Sequence, residues 1–169
     1  AFRDFRKQRR KARRKKKKMK VANVGRQLYN AEVRARLKTF VDTSTPFAER
    51  LCLFWSNHFA ISAIAAPIAS VAGAFEREAI RPHIGGNFAD MVLASSQNPA
   101  MLLYLDNAKS IGPTSKVGRR KKRGLNENLA RELLELHTLG VNGGYSQDDI
   151  QQLALAITGW SVAGPKARQ

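Results

Sequence analysis

Positive charge in this 169-residue chain is concentrated in two runs, and that segregation limits the fold more than any other feature. Residues 1–20 hold thirteen Lys and Arg against one acid, Asp4, and residues 119–123 (Arg119, Arg120, Lys121, Lys122, Arg123) add five more. The formal charge is +17, so everything outside the two runs is net neutral. Like charges at this density repel unless counter-ions or an anionic partner screen them, so neither run belongs in a core. The neutral remainder, in a chain that is 43% hydrophobic, suffices for one buried core and excludes wholesale disorder. The sequence therefore divides into a basic arm or start of a long helix over residues 1–20, a helical domain over 21–162 with an exposed basic loop at 106–124, and a tail at 163–169.

The neutral part is punctuated by helix signals. Thr45-Pro46 offers a cap followed by proline at the first helical position, and Phe47, Leu51, Phe54 and His58 then recur at i, i+4, i+7 and i+11, one stripe predicted to face inward. A second helix is predicted from Pro67 through Val71, Phe75 and Ile80 to Arg81, where Pro82 restricts the preceding residue. Gly85-Gly86 reads as a turn, residues 88–95 as a short helix, and Asn98-Pro99 as the cap of a buried helix carrying Met101, Leu102, Leu103 and Leu105. Asn126 is placed to cap a helix through Leu129, Leu133, Leu136 and Leu139, closed by Gly140. Ser146 with Asp149 three residues later opens the last helix, which carries Ile150, Leu153, Ala154 and Ile157. Val21, Val24, Leu28, Val33 and Leu37 keep roughly helical spacing, so the basic arm can also be the first turns of a long helix docked by its later half. No segment alternates with period two, so the fold class is all-α, an irregular multi-helix bundle.

Other classes fall away on composition. Cys52 is the single cysteine, which excludes an internal disulfide and a cysteine-based zinc site. Residues 59–75 carry no charge but are too few for a span and contain Pro67, so no transmembrane segment is expected. No secretory signal opens the chain, and a start at Ala1 reads as a processed or excised piece. Candidate polyanion-binding residues are Arg9, Arg10, Lys11, Arg13, Arg14, Lys15, Lys16, Lys17, Lys18 and the run at 119–123. Phosphate backbones or anionic lipid head groups reward such runs through counter-ion release, with little dependence on sequence. No base-reading motif accompanies them.

The three histidines, His58, His83 and His137, are the candidates for chemistry, with Glu132 as a carboxylate partner. On an ideal α-helix His137 lies roughly 140° from Glu132 and roughly 160° from Glu135, so these cannot share one ion locally. Glu127, Arg131 and Glu135, spaced i, i+4, i+8, read instead as an ion-pair ladder. A site would have to be assembled from different helices. No cofactor is required by the sequence, and no metal site is predicted.

Several strings carry a resemblance. Pro46-Phe47-Ala48-Glu49-Arg50-Leu51, Phe54-Trp55-Ser56-Asn57-His58-Phe59 and Phe75-Glu76-Arg77-Glu78-Ala79-Ile80-Arg81-Pro82-His83 are three of them. Gly124-Leu125-Asn126-Glu127-Asn128-Leu129-Ala130-Arg131-Glu132-Leu133-Leu134-Glu135-Leu136-His137-Thr138-Leu139-Gly140 is the longest. Together with Pro99-Ala100-Met101-Leu102-Leu103-Tyr104-Leu105-Asp106-Asn107 and Leu155-Ala156-Ile157-Thr158-Gly159-Trp160, they resemble the bacterial "domain of unknown function 1800" family over residues 40–162. The resemblance implies a mostly helical, often exported protein without an assigned activity, of which this chain would be a middle section. It maps the family's motif residues to His58, Arg81, His83, Glu127, Arg131, Glu132, Glu135 and His137, while the lysine density of residues 1–20 stands apart from it.

Three functions fit these observations. The first is a binding or scaffold module of an envelope-associated protein whose basic arm engages anionic polymers or lipid head groups, with the missing parts of the same larger domain as further partners. The second is a metal-dependent or acid–base enzyme using histidines and carboxylates from different helices. The third is a nucleic-acid-binding protein without sequence specificity.

Overall fold

The computed structural model describes residues 4, 6–9, 24–121 and 124–163. Among the described residues there is no strand, as expected for an all-α chain. The α-helices are α1 (Val24–Asp42), α2 (Pro46–His58), α3 (Ala66–Ala69), α4 (Ala72–Phe75), α5 (Phe88–Gln97), α6 (Pro99–Tyr104), α7 (Lys116–Lys121), α8 (Asn128–Glu132) and α9 (Gln147–Ile157). Two π turns, Glu76–Ile80 and Leu133–Thr138, and two 3-10 turns, Arg81–His83 and Asn107–Lys109, join them. No described helix is long and apolar enough to cross a membrane.

The core gathers around α6. Its Ala100, Met101 and Leu102 are buried with Phe59, Phe75, Ile80, Met91, Leu129, Ile150 and Ile157, side chains from almost every other element. Several predicted signals hold. The Asn98 side chain accepts a hydrogen bond from the Ala100 amide at 3.0 Å, and the Ser146–Asp149 capping box is complete at the start of α9. Asn126 accepts from the Asn128 amide at 2.9 Å. Thr45 does not cap α2: its own amide is held by Thr43 Oγ1 at 3.0 Å, and Pro46 alone marks the helix start.

The register of α2 differs from the predicted one. Phe47 is 73% exposed and Phe54 58%, while Glu49, Cys52 and Phe59 face inward. Periodicity finds an apolar stripe but cannot choose between two on the same helix, and here a charge chooses. Glu49 is only 6% exposed and receives both ends of the Arg81 guanidinium, Nη1 to Oε1 at 2.7 Å and Nη2 to Oε2 at 2.8 Å. Arg81 Nε also donates to Glu76 Oε1 at 2.9 Å, and Arg36 Nε lies 3.0 Å from Glu76 Oε2. A buried carboxylate needs such a partner, so the fork draws α2 onto the first π turn with Glu49 inside.

The helix predicted from Pro67 to Arg81 is broken into α3, α4, the first π turn and a 3-10 turn. The π turn takes in one extra residue, so that the Arg81 amide donates to Glu76 O, and Pro82 has no amide to continue an α pattern. The helix predicted from Asn126 to Gly140 is likewise α-helical only over Asn128–Glu132. In the second π turn the Leu139 amide reaches back to Leu134 O at 3.0 Å and Thr138 Oγ1 donates to Leu133 O at 2.6 Å. The added residue shifts the phase: Leu129 and Leu133 are buried, whereas Leu136 and Leu139 are exposed.

α1 also departs from expectation. It contributes no side chain to the core cluster, and Leu37, in its later half, is 60% exposed. It docks on α3 and α4, with the Glu32 side chain seated against Gly73, where a Cβ would lie 2.5 Å from it, and reaches the first π turn through the pairs Arg36–Glu76 and Arg77–Glu32. Val21 and nearly all of the basic arm, including residues 10–20, lie outside the described residues.

The segment predicted as an exposed loop over 106–124 is only partly one. Asn107 is buried, and its Nδ2 donates to the carbonyls of Ile157 (3.3 Å) and Trp160 (3.1 Å), tying this corner to the end of α9. The Ile111 amide donates to Gly124 O at 3.2 Å and closes a compact loop of the Ω type that contains α7.

The Glu49–Arg81 fork yields a direct test. Glu49→Gln keeps the shape and removes the charge, and it should cost about 2–3 kcal/mol in chemical denaturation at neutral pH, since Arg81 keeps Glu76 as a second partner. The fork also holds the Glu49 carboxyl below its ordinary value of 4.5 against the opposing effect of burial. A depressed carboxylate stabilises above its unfolded pKa, so wild type should lose this contribution as pH falls below 4.5, and the variant should lack that part of the decline.

Candidate functional site

His58 and His137 are 79 residues apart in sequence, and the fold brings them together. His58 closes α2, whose register is set by Glu49, and His137 sits in the second π turn. His58 Nε2 lies 3.0 Å from the backbone carbonyl oxygen of His137. A carbonyl only accepts, so Nε2 of His58 carries the proton, and in the neutral ring Nδ1 is left as an acceptor. The fold thus fixes a tautomer.

Aromatic rings build the walls. Phe59, fully buried, meets His58 edge-on at 4.6 Å between centroids and His137 at 5.0 Å, and the two imidazole centroids are 6.0 Å apart. Trp55 stacks on Phe59 at 6.2 Å, and Phe88 closes the outer side 6.1 Å from His58. His137 is 5% exposed, and its Nδ1 is buried without a hydrogen-bond partner. Burial first, and the neighbouring His58 second, push its pKa from 6.5 down to about 4, so the ring is neutral at physiological pH. A His58 of fixed tautomer beside a buried, unpartnered His137 Nδ1 can take up a proton or hydrogen-bond a polar group within an apolar frame.

The remaining sequence candidates lie elsewhere. His83 is half-buried in the 3-10 turn after Arg81, and neither it nor Glu132 joins the pair by a hydrogen bond or ring contact among the described residues. No group of three or more His, Cys, Asp or Glu among the described residues could hold a metal ion. Arg81 belongs to the ion fork. Glu127, Arg131 and Glu135 form the predicted ladder, at 3.3 and 3.1 Å, and Gln147 extends it by bridging Arg131 and Glu127 at 2.8 Å each, which fastens the start of α9. Residues the sequence reading missed are Glu49, Glu76, Arg36 and Gln147. A glutamate in a first helical turn ordinarily signals a solvated charge at the helix N-terminus, so Glu49 gave no cue to its burial.

Beneath α1 lies a cleft of about 380 Å³ lined by residues including Tyr29, Glu32, Arg36, Gly73, Glu76 and Arg81. Its charges are matched internally, Glu32 by Arg77 and Glu76 by Arg36 and Arg81. Cys52, just behind the fork, is buried, and burial pushes its thiol up to about 11, leaving it unreactive.

Of the basic candidates, Arg9, Arg119 and Arg120 are described and exposed. The backbone of Lys121 closes α7, while Arg10, Lys11, Arg13, Arg14, Lys15, Lys16, Lys17, Lys18, Lys122 and Arg123 lie outside the described residues. α7 is held against its own loop by Gly118, which is buried and donates its amide to Ser115 Oγ at 3.0 Å. A Cβ at Gly118 would lie 2.5 Å from Gly112 O, so the close approach that projects Arg119 and Arg120 requires glycine.

The depressed His137 pKa makes stability pH-dependent with a definite sign. The folded state binds the proton less readily than the unfolded one, so this group's contribution is complete above 6.5 and is lost as pH falls toward 4, roughly 3 kcal/mol in all. Denaturation at successive pH values should show that loss in wild type and not in His137→Asn.

In comparison with known proteins, the family model "Protein of unknown function (DUF1800)" fits residues 2–169. No curated protein and no solved structure matches the chain. The match reaches further than the resemblance over 40–162 and takes in nearly all of the lysine-rich residues 1–20. The site strings quoted above all fall inside it, and the chain belongs to the DUF1800 family.

Proposed function

We propose that this chain is a binding module that engages polyanions through the basic loop at residues 111–124. One observation carries the reading: Arg119 and Arg120 project from α7 in a closed loop, exposed and without an ion-pair partner among the described residues. Elsewhere in the described structure exposed cations such as Lys38, Arg77 and Lys109 are matched to Asp42, Glu32 and Asp106. Arg119 and Arg120 stand out because they are adjacent, exposed and carried on a helix held in place at Gly118. The basic residues of 1–20 add a second contact of the same chemistry. A scaffold role in an envelope-associated protein, as the family resemblance suggests, belongs to the same proposal.

Such binding follows phosphate or sulfate spacing rather than base identity. Affinity for duplex DNA should fall steeply with salt, and Arg119→Gln with Arg120→Gln should reduce the slope of log K against log salt by about 2. An unchanged slope in that double variant would rule out the loop as the contact.

A second reading rests on a separate observation, the buried unpartnered Nδ1 of His137 beside a His58 of fixed tautomer. It supports acid–base chemistry, in which the His58–His137 pair passes a proton between an aromatic-walled surface and the interior. Nitrogen-15 NMR of histidine-labelled protein should find His58 protonated at Nε2 in its neutral form. A neutral His58 protonated at Nδ1 would remove the polarity this reading needs.

A further inference from the structure

We propose that the corner between α1 and α2 docks onto an anionic lipid bilayer. The inference is independent of the basic-loop reading, because it concerns different residues on different helices.

The corner exposes four large apolar side chains, two on each side of the connection at residues 43–45. Leu37 is 60% exposed and Val41 83% on α1, and Phe47 is 73% and Phe54 58% exposed on α2. Each helix presents them as a mixed stripe. Arg34, Leu37, Lys38 and Val41 recur at i, i+3, i+4 and i+7 on α1, and Phe47, Arg50 and Phe54 at i, i+3 and i+7 on α2. Arg34 and Arg50 are exposed and have no ion pair among the described residues. The neighbouring acids are already engaged, Asp42 by Lys38 and Glu49 by Arg81.

This composition fits one partner best. A protein-binding patch keeps charges to its rim and concentrates apolar groups at its centre. Here cations alternate with Leu, Val and Phe along each helix, the pattern that places apolar chains at the acyl boundary and guanidinium groups among anionic head groups. The formal charge of +17 supplies the long-range attraction, with residues 1–20 preceding α1 in the chain. The exposed register of Phe47 and Phe54 also has a structural cause, since the Glu49–Arg81 fork holds them outward.

The test is co-sedimentation of the full chain with vesicles of phosphatidylcholine alone or of equal parts phosphatidylcholine and phosphatidylglycerol. The chain should partition onto the anionic vesicles and not the neutral ones. The F47S/F54S double variant should lose about tenfold or more in partitioning, with its far-UV circular dichroism unchanged because both side chains are exposed in the fold. L37S/V41S should weaken partitioning in the same direction. Failure of wild type to bind the anionic vesicles would overturn the proposal. So would unaltered binding by F47S/F54S, which would assign the attraction to the basic runs and leave the loop reading standing. Sedimentation of the lipid-free chain as a dimer that F47S/F54S dissolves would show that a second copy covers this face, and would equally overturn it.

Discussion

A single guanidinium group sets much of this architecture. Arg81 satisfies Glu49 on α2 with two parallel hydrogen bonds and turns its Nε toward Glu76 in the first π turn. Desolvating a carboxylate is costly, and a paired fork is the arrangement that offsets it. Once Glu49 must face inward, the rest of α2 follows. Cys52 and Phe59 enter the core, Phe47 and Phe54 turn to the surface, and His58 ends the helix where its Nε2 meets the His137 carbonyl. A charge buried at one end of a helix thus determines the chemistry available at the other.

The two π turns act in the same direction. Each takes in one residue more than an α pattern allows, the first running up to Arg81 and the second holding His137. π turns occur often at functional positions because they re-aim side chains without ending a helix. Here the second one moves Leu136 and Leu139 to the surface and leaves His137 buried against Phe59. Its ring is neutral because it is buried, and its tautomeric partner is set by a backbone carbonyl rather than a carboxylate.

What could be read from the sequence divides along physical lines. Local signals survived: the caps at Asn98 and Ser146, the buried Met101 and Leu102, and the Glu127–Arg131–Glu135 ladder all depend on neighbours within a few residues. Phase did not survive. An ideal period of 3.6 placed Phe47 and Phe54 inside and Leu136 and Leu139 on one stripe, because a buried ion fork and a widened turn leave no mark on hydrophobic spacing. The histidines were legible as candidates, but their pairing was not, since contact between residues 58 and 137 is a property of the packed core. Glu49 and Arg36 were invisible for a related reason: a charged residue on a helix reads as solvated until a partner from another element is in view.

The molecule therefore combines a neutral helical core, an internally matched ion system and cations held outward without partners. The central claim is that these unmatched cations, and not the histidine pair, form the contact with a polyanion. Hydrogen exchange of the chain with and without a DNA duplex tests this most directly. Slowed exchange across residues 111–124, with α2 and the second π turn unaffected, is the predicted result. Slowed exchange confined to residues around His58 and His137, with the loop unchanged, would contradict it.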